Sequence, residues 1–441
     1  MYVFDETSLE ALQPHPNLKL LSLYRYMGVG FPNWLSSLTN LVEFTLFGCK
    51  KCQHLSLLYQ FPSLKVLELD SLSALEYISD SEEFSNSSFL SSLEELKIKY
   101  CPNLKGWKPR GDSIDDDNST EIATTTTETA GNHIPPSFSR LSKLCIRACP
   151  QLVSMPLFPF LENLELYYCS FKPLEQTTRI AAAEATVVAS ASSSTHATSS
   201  LAPLSKLKSM EIGRMEEPLP EECMQNLISL DHLWIYECRG PLLQGMRHLT
   251  ALKQLEICSS ELFDLSNYGM EWKGLRSLNS LWLFRLLKLE FLPEGIQHIT
   301  SLRKLTIDYC PCLTALPEWI FSLTSLEILE ILQCPKLRSL PLEISRLTYL
   351  RTLKIRYCPI LLQRCKKEIV NDWPQIAHIQ NLDLEPGNLG IHLTNLSQSF
   401  IEFQFCLLHL VHYFFQALHL YFFVIKFQME NQMNSRRNLI F

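Results

Sequence analysis

Three stretches near the C-terminal end of the repeats decide the fold: LRKLTIDYCPCLTALPEWI at residues 302–320, LEILEILQCPKLRSLPLEI at 326–344 and LRTLKIRYCPILLQRC at 350–365. They begin 24 residues apart and share the order Leu-x-x-Leu-x-Ile, followed by Cys-Pro. Alternating apolar and polar residues predict a short strand in each, with Lys304, Thr306 and Asp308 facing outward. Cys310 is expected to close the strand into a turn, where Pro311 needs no ladder N–H.

The same order recurs along most of the chain. Thirteen copies begin at Leu18, Leu41, Leu64, Leu93, Leu141, Leu161, Leu207, Leu230, Leu252, Leu278, Leu302, Leu326 and Leu350. Their period predicts an α/β fold, a leucine-rich-repeat solenoid of about 13 repeats. We expect a curved parallel β-sheet on the concave face and irregular or short helical segments on the convex face. Such a surface binds other macromolecules.

Cysteine usage follows the repeat. Eight copies place a cysteine eight residues after the first leucine: Cys49, Cys101, Cys149, Cys169, Cys238, Cys310, Cys334 and Cys358. This position predicts reduced thiols that fill turns rather than disulfides.

No chemistry-bearing constellation emerges from the sequence. The glycine spacing of residues 106–113 resembles a phosphate loop, but Asp112 stands where lysine is needed. Cys49 and Cys52 have no second pair at zinc-ligand spacing. We therefore expect no enzyme activity, no catalytic residues, no metal and no cofactor.

Composition bears on location and partners. The chain is 46% hydrophobic and 19% charged with a net charge of −7, which gives no electrostatic basis for nucleic-acid binding. The N-terminal residues lack the basic start and apolar run of a signal peptide. A cytoplasmic protein is expected.

The repeat domain is predicted to span residues 8–384. Two insertions, about 106–136 and 170–203, are too polar or too rich in Ala, Ser and Thr to pack and are expected to be disordered. Residues 385–441 form an apolar C-terminal tail, in which 405–425 has the length of a membrane span but contains His409, His412, Gln416 and His419. The favoured hypothesis is non-native sequence; a tail anchor and a packed terminal helix are the alternatives, and membrane association is expected only if 405–425 is a genuine anchor.

Partner contacts are expected at the outward positions two, four, six and seven residues after the first leucine, where aromatic residues collect. The predicted partner-binding residues on the concave face are Tyr167, Tyr168, Trp234, Tyr236, Trp282, Phe284, Arg285, Tyr309, Lys354, Arg356 and Tyr357. Trp234 and Trp282 should share a column two strands apart, about 10 Å. The composition is that of a binding hot spot; the alternative is that these rings only cover neighbouring strands.

A family resemblance rests on particular segments. ALQPHPNLKLLSLYRYMGVGFPNWLSSLTNLVEFTLFGCKKCQHL at 11–55, the Cys-Pro repeats and CPILLQRCKKEIVNDWPQIAHI at 358–379 resemble the repeat region of plant coiled-coil-type nucleotide-binding leucine-rich-repeat (NB-LRR) disease-resistance proteins. The likeness covers about residues 8–384. The closing motif is matched by Cys365, Asp372, Trp373, Pro374, Ile376, His378 and Ile379.

The resemblance implies a role in plant innate immunity. In that family the repeats restrain a nucleotide-binding switch domain and help to sense pathogens, so the implied partners are an effector, a guarded host protein or the switch domain itself.

This chain reaches its first repeat at Leu18, which leaves no room for a coiled coil or nucleotide-binding domain. It is therefore expected to be a fragment, a truncated relative or an adaptor.

Other classes of leucine-rich-repeat protein share parts of this pattern. A substrate adaptor of a ubiquitin ligase is the main alternative, because such repeats also place cysteine at the turn, and a nonfunctional truncated receptor fragment is another. An extracellular receptor is disfavoured, since plant versions carry asparagine at the turn and need a signal peptide.

Overall fold

The computed structural model describes residues 6–12, 14–55, 58, 60–78, 90–107, 138–156, 158–176, 178, 204–217, 219–238, 244–258, 271–366 and 372–385. The chain divides into two compact units, Met1–Glu385 and Pro386–Phe441. The second unit, which holds the predicted tail and its apolar stretch at 405–425, lies outside the described residues. Within the described part, no helix has the length and apolarity to cross a membrane.

The first unit is built on one parallel sheet. Its described strands, each five residues long, are β1 Leu20–Tyr24, β2 Glu43–Phe47, β3 Val66–Asp70, β4 Glu95–Lys99, β5 Lys143–Arg147, β6 Asn163–Tyr167, β7 Ser209–Gly213, β8 His232–Tyr236, β9 Gln254–Cys258, β10 Ser280–Phe284, β11 Lys304–Asp308, β12 Ile328–Leu332, β13 Thr352–Arg356 and β14 Asn381–Glu385. They pair in chain order without a crossover, which confirms the predicted solenoid.

Short helical segments return the chain between strands. The α-helices are α1 Glu6–Glu10, α2 Glu221–Asn226, α3 Pro359–Arg364 and α4 Trp373–Ile376, and 3₁₀ helices span Asn33–Ser37, Met246–His248, Glu271–Gly274, Glu294–His298, Glu318–Ser322 and Leu342–Arg346. Four of the 3₁₀ helices follow a proline at the N-cap, since its fixed φ suits entry into a helical turn.

The described sheet has one strand more than the thirteen repeats that we predicted. Strand β14 pairs in register with β13. Its repeat begins at Ile379 and continues with Leu382 and Leu384, which pack against the core. A search for a first leucine misses this repeat because isoleucine fills the same core position.

The core is a set of apolar columns that run along the sheet. In the repeat of Leu302, the side chains of Leu305, Ile307, Leu313 and Ile320 are buried with it. Each repeat presents one such layer to the next, and burying an aliphatic side chain contributes about 1.5–3 kcal/mol. Stacking is therefore what makes each five-residue strand stable.

A residue with left-handed backbone conformation follows each strand, at the position seven residues after the first leucine of the repeat. This holds for every repeat in which the structure describes that position. Arg25, Ser71, Tyr309 and Gln333 have φ between 52° and 58°. Their N–H groups still donate to the last carbonyl of the following strand, at 3.0 Å from Tyr309 to Leu332 for example. This corrects our assignment of position seven to the strand: it is the turn residue.

The cysteines follow directly after that residue, with their sulfur atoms in the core. Cys358 Sγ donates to the Arg356 carbonyl at 3.3 Å and lies 3.7 Å from the Ile331 carbonyl of the preceding repeat. Burial raises the pKa of the Cys49 and Cys238 thiols to about 11. The thiol thus satisfies backbone carbonyls at the turn while filling an apolar space.

Both predicted insertions, 106–136 and 170–203, lie mostly outside the described residues. Their described residues are 106–107, 170–176 and 178. Trp107 is buried against Phe158, and Phe171 and Leu174 are buried in the core. Residues 172–176 form a helical turn. These apolar residues belong to the repeats, and a composition average over the Thr- and Ala-rich segments concealed them.

The closing motif forms an ion pair between the buried Asp372 carboxylate and the partly exposed Arg364 guanidinium at the end of the described repeats. Asp372 is 2% exposed and accepts two hydrogen bonds from the Arg364 guanidinium, at 2.9 and 3.0 Å. Its Oδ2 also lies 3.4 Å from the Leu340 N–H. The motif therefore ties α3 and the start of α4 to the repeat that contains Leu340.

Candidate functional site

The candidate site lies on the outer face of the sheet, formed by the side chains two, four and six residues after the first leucine. In β6, β8 and β13 these three positions are partly exposed while the residues between them are buried. Register pairing places equal positions of neighbouring strands side by side. Each position thus forms a row across the sheet, and neighbours in a row are about 4.8 Å apart.

The fourth-position row alternates acids and indoles between β7 and β10. Glu211 pairs with Trp234, Trp234 with Glu256, and Glu256 with Trp282. We call these four residues the indole–carboxylate row. Trp234 and Trp282 are two strands apart, as the sequence predicted.

Ring contacts fix the two indoles. Trp234 stacks on His232 with centroids 5.6 Å apart and an interplanar angle of 10°. Trp282 lies against Phe284, also at 5.6 Å, and remains 36% exposed. Each indole therefore rests on a neighbour of its own strand, which lowers the entropy that binding would cost.

The position of the Tyr167 ring requires a glycine on the neighbouring strand. A Cβ added at Gly213 would lie 2.3 Å from Tyr167 Cδ2, so the ring occupies the space that any other residue at 213 would fill. The Arg214 guanidinium carbon lies 5.6 Å from the centre of the same ring, a distance at which a cation is attracted to an aromatic face. Tyr167 is a fixed part of the surface.

Two carboxylates on this face are held in an unfavourable environment. Burial raises the pKa of Glu211, and the charges of Glu165 and Glu256 raise it further, against Arg147. Burial also raises the pKa of Glu256, although a hydrogen bond from Trp234 and the charge of His232 oppose this. A half-buried carboxylate without a cation is costly in free energy.

Beside Glu211 the surface has a hollow of about 300 Å³. Its lining includes Lys143, Cys145, Asn163, Ser209 and Glu211. A small side chain contributes to the space, since Ser209 precedes Glu211 by two residues on the same strand. The hollow and the indole–carboxylate row form adjoining parts of the outer face.

Ion pairs flank this region. Arg147 pairs with Glu165 at 2.8 Å and Lys99 with Glu68 at 2.8 Å. Beyond β10, Lys304 pairs with Glu330 at 3.0 Å. These pairs connect neighbouring strands, so their cations are engaged within the sheet.

The structure brings five of the predicted partner-binding residues into one region. Tyr167, Trp234, Tyr236, Trp282 and Phe284 lie on β6, β8 and β10. Lys354 and Arg356 lie three strands farther on, and Arg356 pairs with Asp383 at 2.8 Å. The two groups are separated by β11 and β12.

The remaining predicted residues occupy the left-handed turn position. Arg285 is 8% exposed, with φ of 55° and its guanidinium 3.6 Å from Glu237; little of its side chain is therefore accessible to a partner. Tyr168 and Tyr357 are 52% and 47% exposed, and Tyr309 is half-buried. These three tyrosines line the edge where the strands end.

Sequence reasoning missed Glu211, Glu256, Gly213 and His232. The signal was available, because each occupies an outward position of its repeat. The prediction selected aromatic residues and passed over the acids between them. Only an alignment of repeats 7 to 10 shows that acidic residues and tryptophans alternate in this row.

Known proteins resemble this chain through its repeats. The family described as R13L1/DRL21 leucine-rich repeats matches residues 4–72. Disease resistance protein RGA4 of Solanum bulbocastanum is 29% identical over 232 residues, and RPP13-like protein 1 of Arabidopsis thaliana, a disease resistance protein, is 30% identical over 175 residues. The chain is a leucine-rich-repeat protein related to plant disease-resistance proteins.

The extent of the likeness is limited. The matches cover 51% and 36% of this chain but only 19% and 14% of those two relatives. RGA1 of Solanum bulbocastanum, 38% identical over 106 residues, is matched over 23% of this chain and 10% of its own length.

Solved structures show a likeness of lower degree. A leucine-rich-repeat protein of Leptospira interrogans is 18% identical with a TM-score of 0.35, covering 80% of this chain and 94% of that one. An internalin of Listeria monocytogenes is 15% identical with a TM-score of 0.37, covering 87% and 89%.

Proposed function

We propose that this chain recognises a protein in plant defence, through the outer face of its sheet between β6 and β10. The partner is a pathogen effector, a guarded host protein or a nucleotide-binding switch domain whose activity the repeats regulate. The observation that carries the proposal is a group of aromatic rings on one face of the sheet, on the alternate strands β6, β8 and β10. Its members are Tyr167, Trp234, Tyr236, Trp282 and Phe284.

Three features support binding over a purely structural role. Trp282 stays 36% exposed beside other rings, and tryptophan and tyrosine are enriched where alanine substitution weakens interfaces most. The rings are held by neighbours before any partner arrives. Unpaired carboxylates and a hollow adjoin them, which a surface selected only for stability would avoid.

The relatives support the biological setting. Each of the three described above carries disease resistance in its name, which favours a defence protein over the ubiquitin-ligase adaptor. The proposal places the chain in the cytoplasm, where buried thiols such as Cys310 and Cys334 stay reduced.

The test is quantitative co-immunoprecipitation in leaf tissue, with the full chain carrying Trp234→Ala and Trp282→Ala together. We expect loss of at least about tenfold in recovery of a partner identified with the wild-type chain, because interface tryptophans often contribute 2 kcal/mol or more. The matched control is Phe291→Ala with Tyr349→Ala, two rings that are 64% and 61% exposed outside the strands. Equal recovery with the tryptophan variant would contradict the proposal.

A further inference from the structure

The indole–carboxylate row suggests what kind of side chain its partner presents. Glu211 has Trp234 beside it, and Glu256 has an indole on both sides, Trp234 and Trp282. With neighbours about 4.8 Å apart, the two carboxylates lie on either side of the Trp234 ring.

Neither carboxylate has a cation of its own. Within the described residues, no Lys, Arg or His nitrogen forms an ion pair with Glu211 or Glu256, whereas Glu165 and Glu330 on the same row are paired. The basic groups that act on them are otherwise placed: Arg147, near Glu211, pairs with Glu165, and His232, near Glu256, stacks on Trp234. Within the described residues, the row thus has two carboxylates that have no ion-pair partner.

The indoles add a second preference for a cation. An indole face attracts a lysine ammonium or an arginine guanidinium that lies within about 6 Å of its centre. Its apolar area also packs against the methylene stem of such a side chain. A hydrated metal ion would gain little from the rings, and the described residues include no cluster of three His, Cys, Asp or Glu side chains placed to hold one.

We propose that the indole–carboxylate row binds a lysine or arginine side chain of the protein partner. The cation enters between Trp234 and Trp282, pairs with Glu256, which lies between them, and places its stem against the rings. Glu211, on the far side of Trp234, adds attraction at longer range. This proposal rests on the proposed function, since it names the chemistry by which the same face selects its partner.

The first experiment titrates the full chain with N-acetyl-arginine amide while tryptophan fluorescence is recorded. N-acetyl-citrulline amide, which has nearly the same shape without the charge, is the matched probe. We expect a saturable change with the arginine probe and none with the citrulline probe. In the Trp234→Phe, Trp282→Phe variant the saturable change should disappear.

The decisive variant is Glu211→Gln with Glu256→Gln, because glutamine keeps the shape and removes the charge. Binding of the arginine probe should weaken by roughly tenfold, as expected for loss of a charge-assisted contact. Glu43→Gln with Glu294→Gln changes the net charge equally at two exposed positions and should bind as the wild type does. Equal binding of both probes, or unchanged binding by the Glu211, Glu256 variant, overturns the proposal.

The same variants separate this proposal from the function on which it rests. If Trp234→Ala with Trp282→Ala weakens partner binding and the double glutamine variant does not, the cation proposal fails and the recognition function stands. If neither variant affects partner binding, the recognition function fails as well. Weakening by both variants, with the exposed-glutamate control unchanged, is the result that we expect.

Discussion

Single residues on the outer face carry charge at a cost to stability. Asp308 is the clearest case: burial raises its pKa to about 6, and its Oδ1 is buried without a hydrogen-bond partner in the described structure. The neighbouring Glu330 raises this pKa further, whereas the Tyr309 N–H lowers it. The charged Asp308 side chain therefore lowers the stability of the folded chain.

Asp308→Asn should therefore stabilise the protein at neutral pH. The folded-state pKa of about 6 lies above the unfolded value near 3.9, so the wild type loses stability as pH rises from about 4 to 6. The asparagine variant does not have this loss. We expect a gain of about 1 kcal/mol at pH 7.5, a value reduced for partial solvent screening, and almost no gain at pH 4. Urea unfolding midpoints at the two pH values measure it, and an equal gain at both would contradict the assignment.

Cysteines differ sharply in accessibility within one turn. Cys310 is fully buried, whereas Cys312 is half-exposed with the Lys336 amine 3.9 Å from its sulfur. In the folded chain, iodoacetamide should modify Cys312 at least roughly tenfold faster than Cys310, because a thiol reacts only where it is reached. Peptide mass spectrometry after brief labelling gives the ratio. In urea, where both thiols are exposed, the two labelling rates should be equal. Equal labelling rates in the folded chain as well would show that the turn thiols are not buried.

At the scale of the single repeat, the left-handed residue after each strand is the least favourable backbone position. A non-glycine residue there costs about 1–2 kcal/mol, yet Gly48 is the one glycine among the described examples at this position. The following cysteine and the ladder bond from the left-handed residue hold the conformation in place. The repeat tolerates this cost because its neighbours determine the turn.

Gln333 tests this, with φ of 52°. Gln333→Val should destabilise by about 1–2 kcal/mol, since a branched Cβ disfavours the left-handed region. Gln333→Gly should stay within about 0.5 kcal/mol of the wild type, because the relief of strain is offset by greater freedom in the unfolded chain. Thermal unfolding of both variants distinguishes them, and a harmless valine would refute the turn assignment.

The closing motif gives the second prediction at the scale of elements. Asp372→Ala removes the acceptor for Arg364 and Leu340. We expect a loss of about 1–2 kcal/mol, because the buried Leu340 N–H loses its acceptor, whereas the partly exposed Arg364 guanidinium gains water instead. The loss should be local, so amides of β14 (381–385) should exchange with deuterium faster while those of β10 (280–284) change little.

Glu343→Ala is the matched control, because its ion pair with Arg346 is exposed and such pairs contribute little. Uniform acceleration across all strands in the Asp372 variant would show that the motif does not act as a local closure.

At the scale of the whole molecule, the repeat period determined most of the fold. The spacing of the buried leucines predicts a strand, a turn and a returning segment in each repeat. All thirteen strands predicted from the first leucines, Leu18 through Leu350, form in the structure. The fourteenth repeat was missed because Ile379 replaces the first leucine. Trp107 and Phe171 were missed because composition was averaged over the segments around them.

The candidate site was less predictable, because it depends on relations between strands. Outward positions gave Trp234 and Trp282 directly. The positive φ of Arg285, which places it in the turn, has no marker such as glycine at that position of the sequence. The alternation of Glu211 and Glu256 with the two indoles is visible only when four repeats are aligned side by side. Only the structure shows that neither carboxylate forms an ion pair within the described residues.

Recognition through the outer face of the sheet is tested most directly by residue-specific photo-cross-linking of the full chain in leaf tissue. Benzoylphenylalanine is placed at position 282 in the indole–carboxylate row, and in a matched chain at position 349, which is equally aromatic and 61% exposed. We expect the identified partner to cross-link from 282 and not from 349. A partner that cross-links from 349 while 282 stays silent would show that recognition takes place away from the outer face of the sheet.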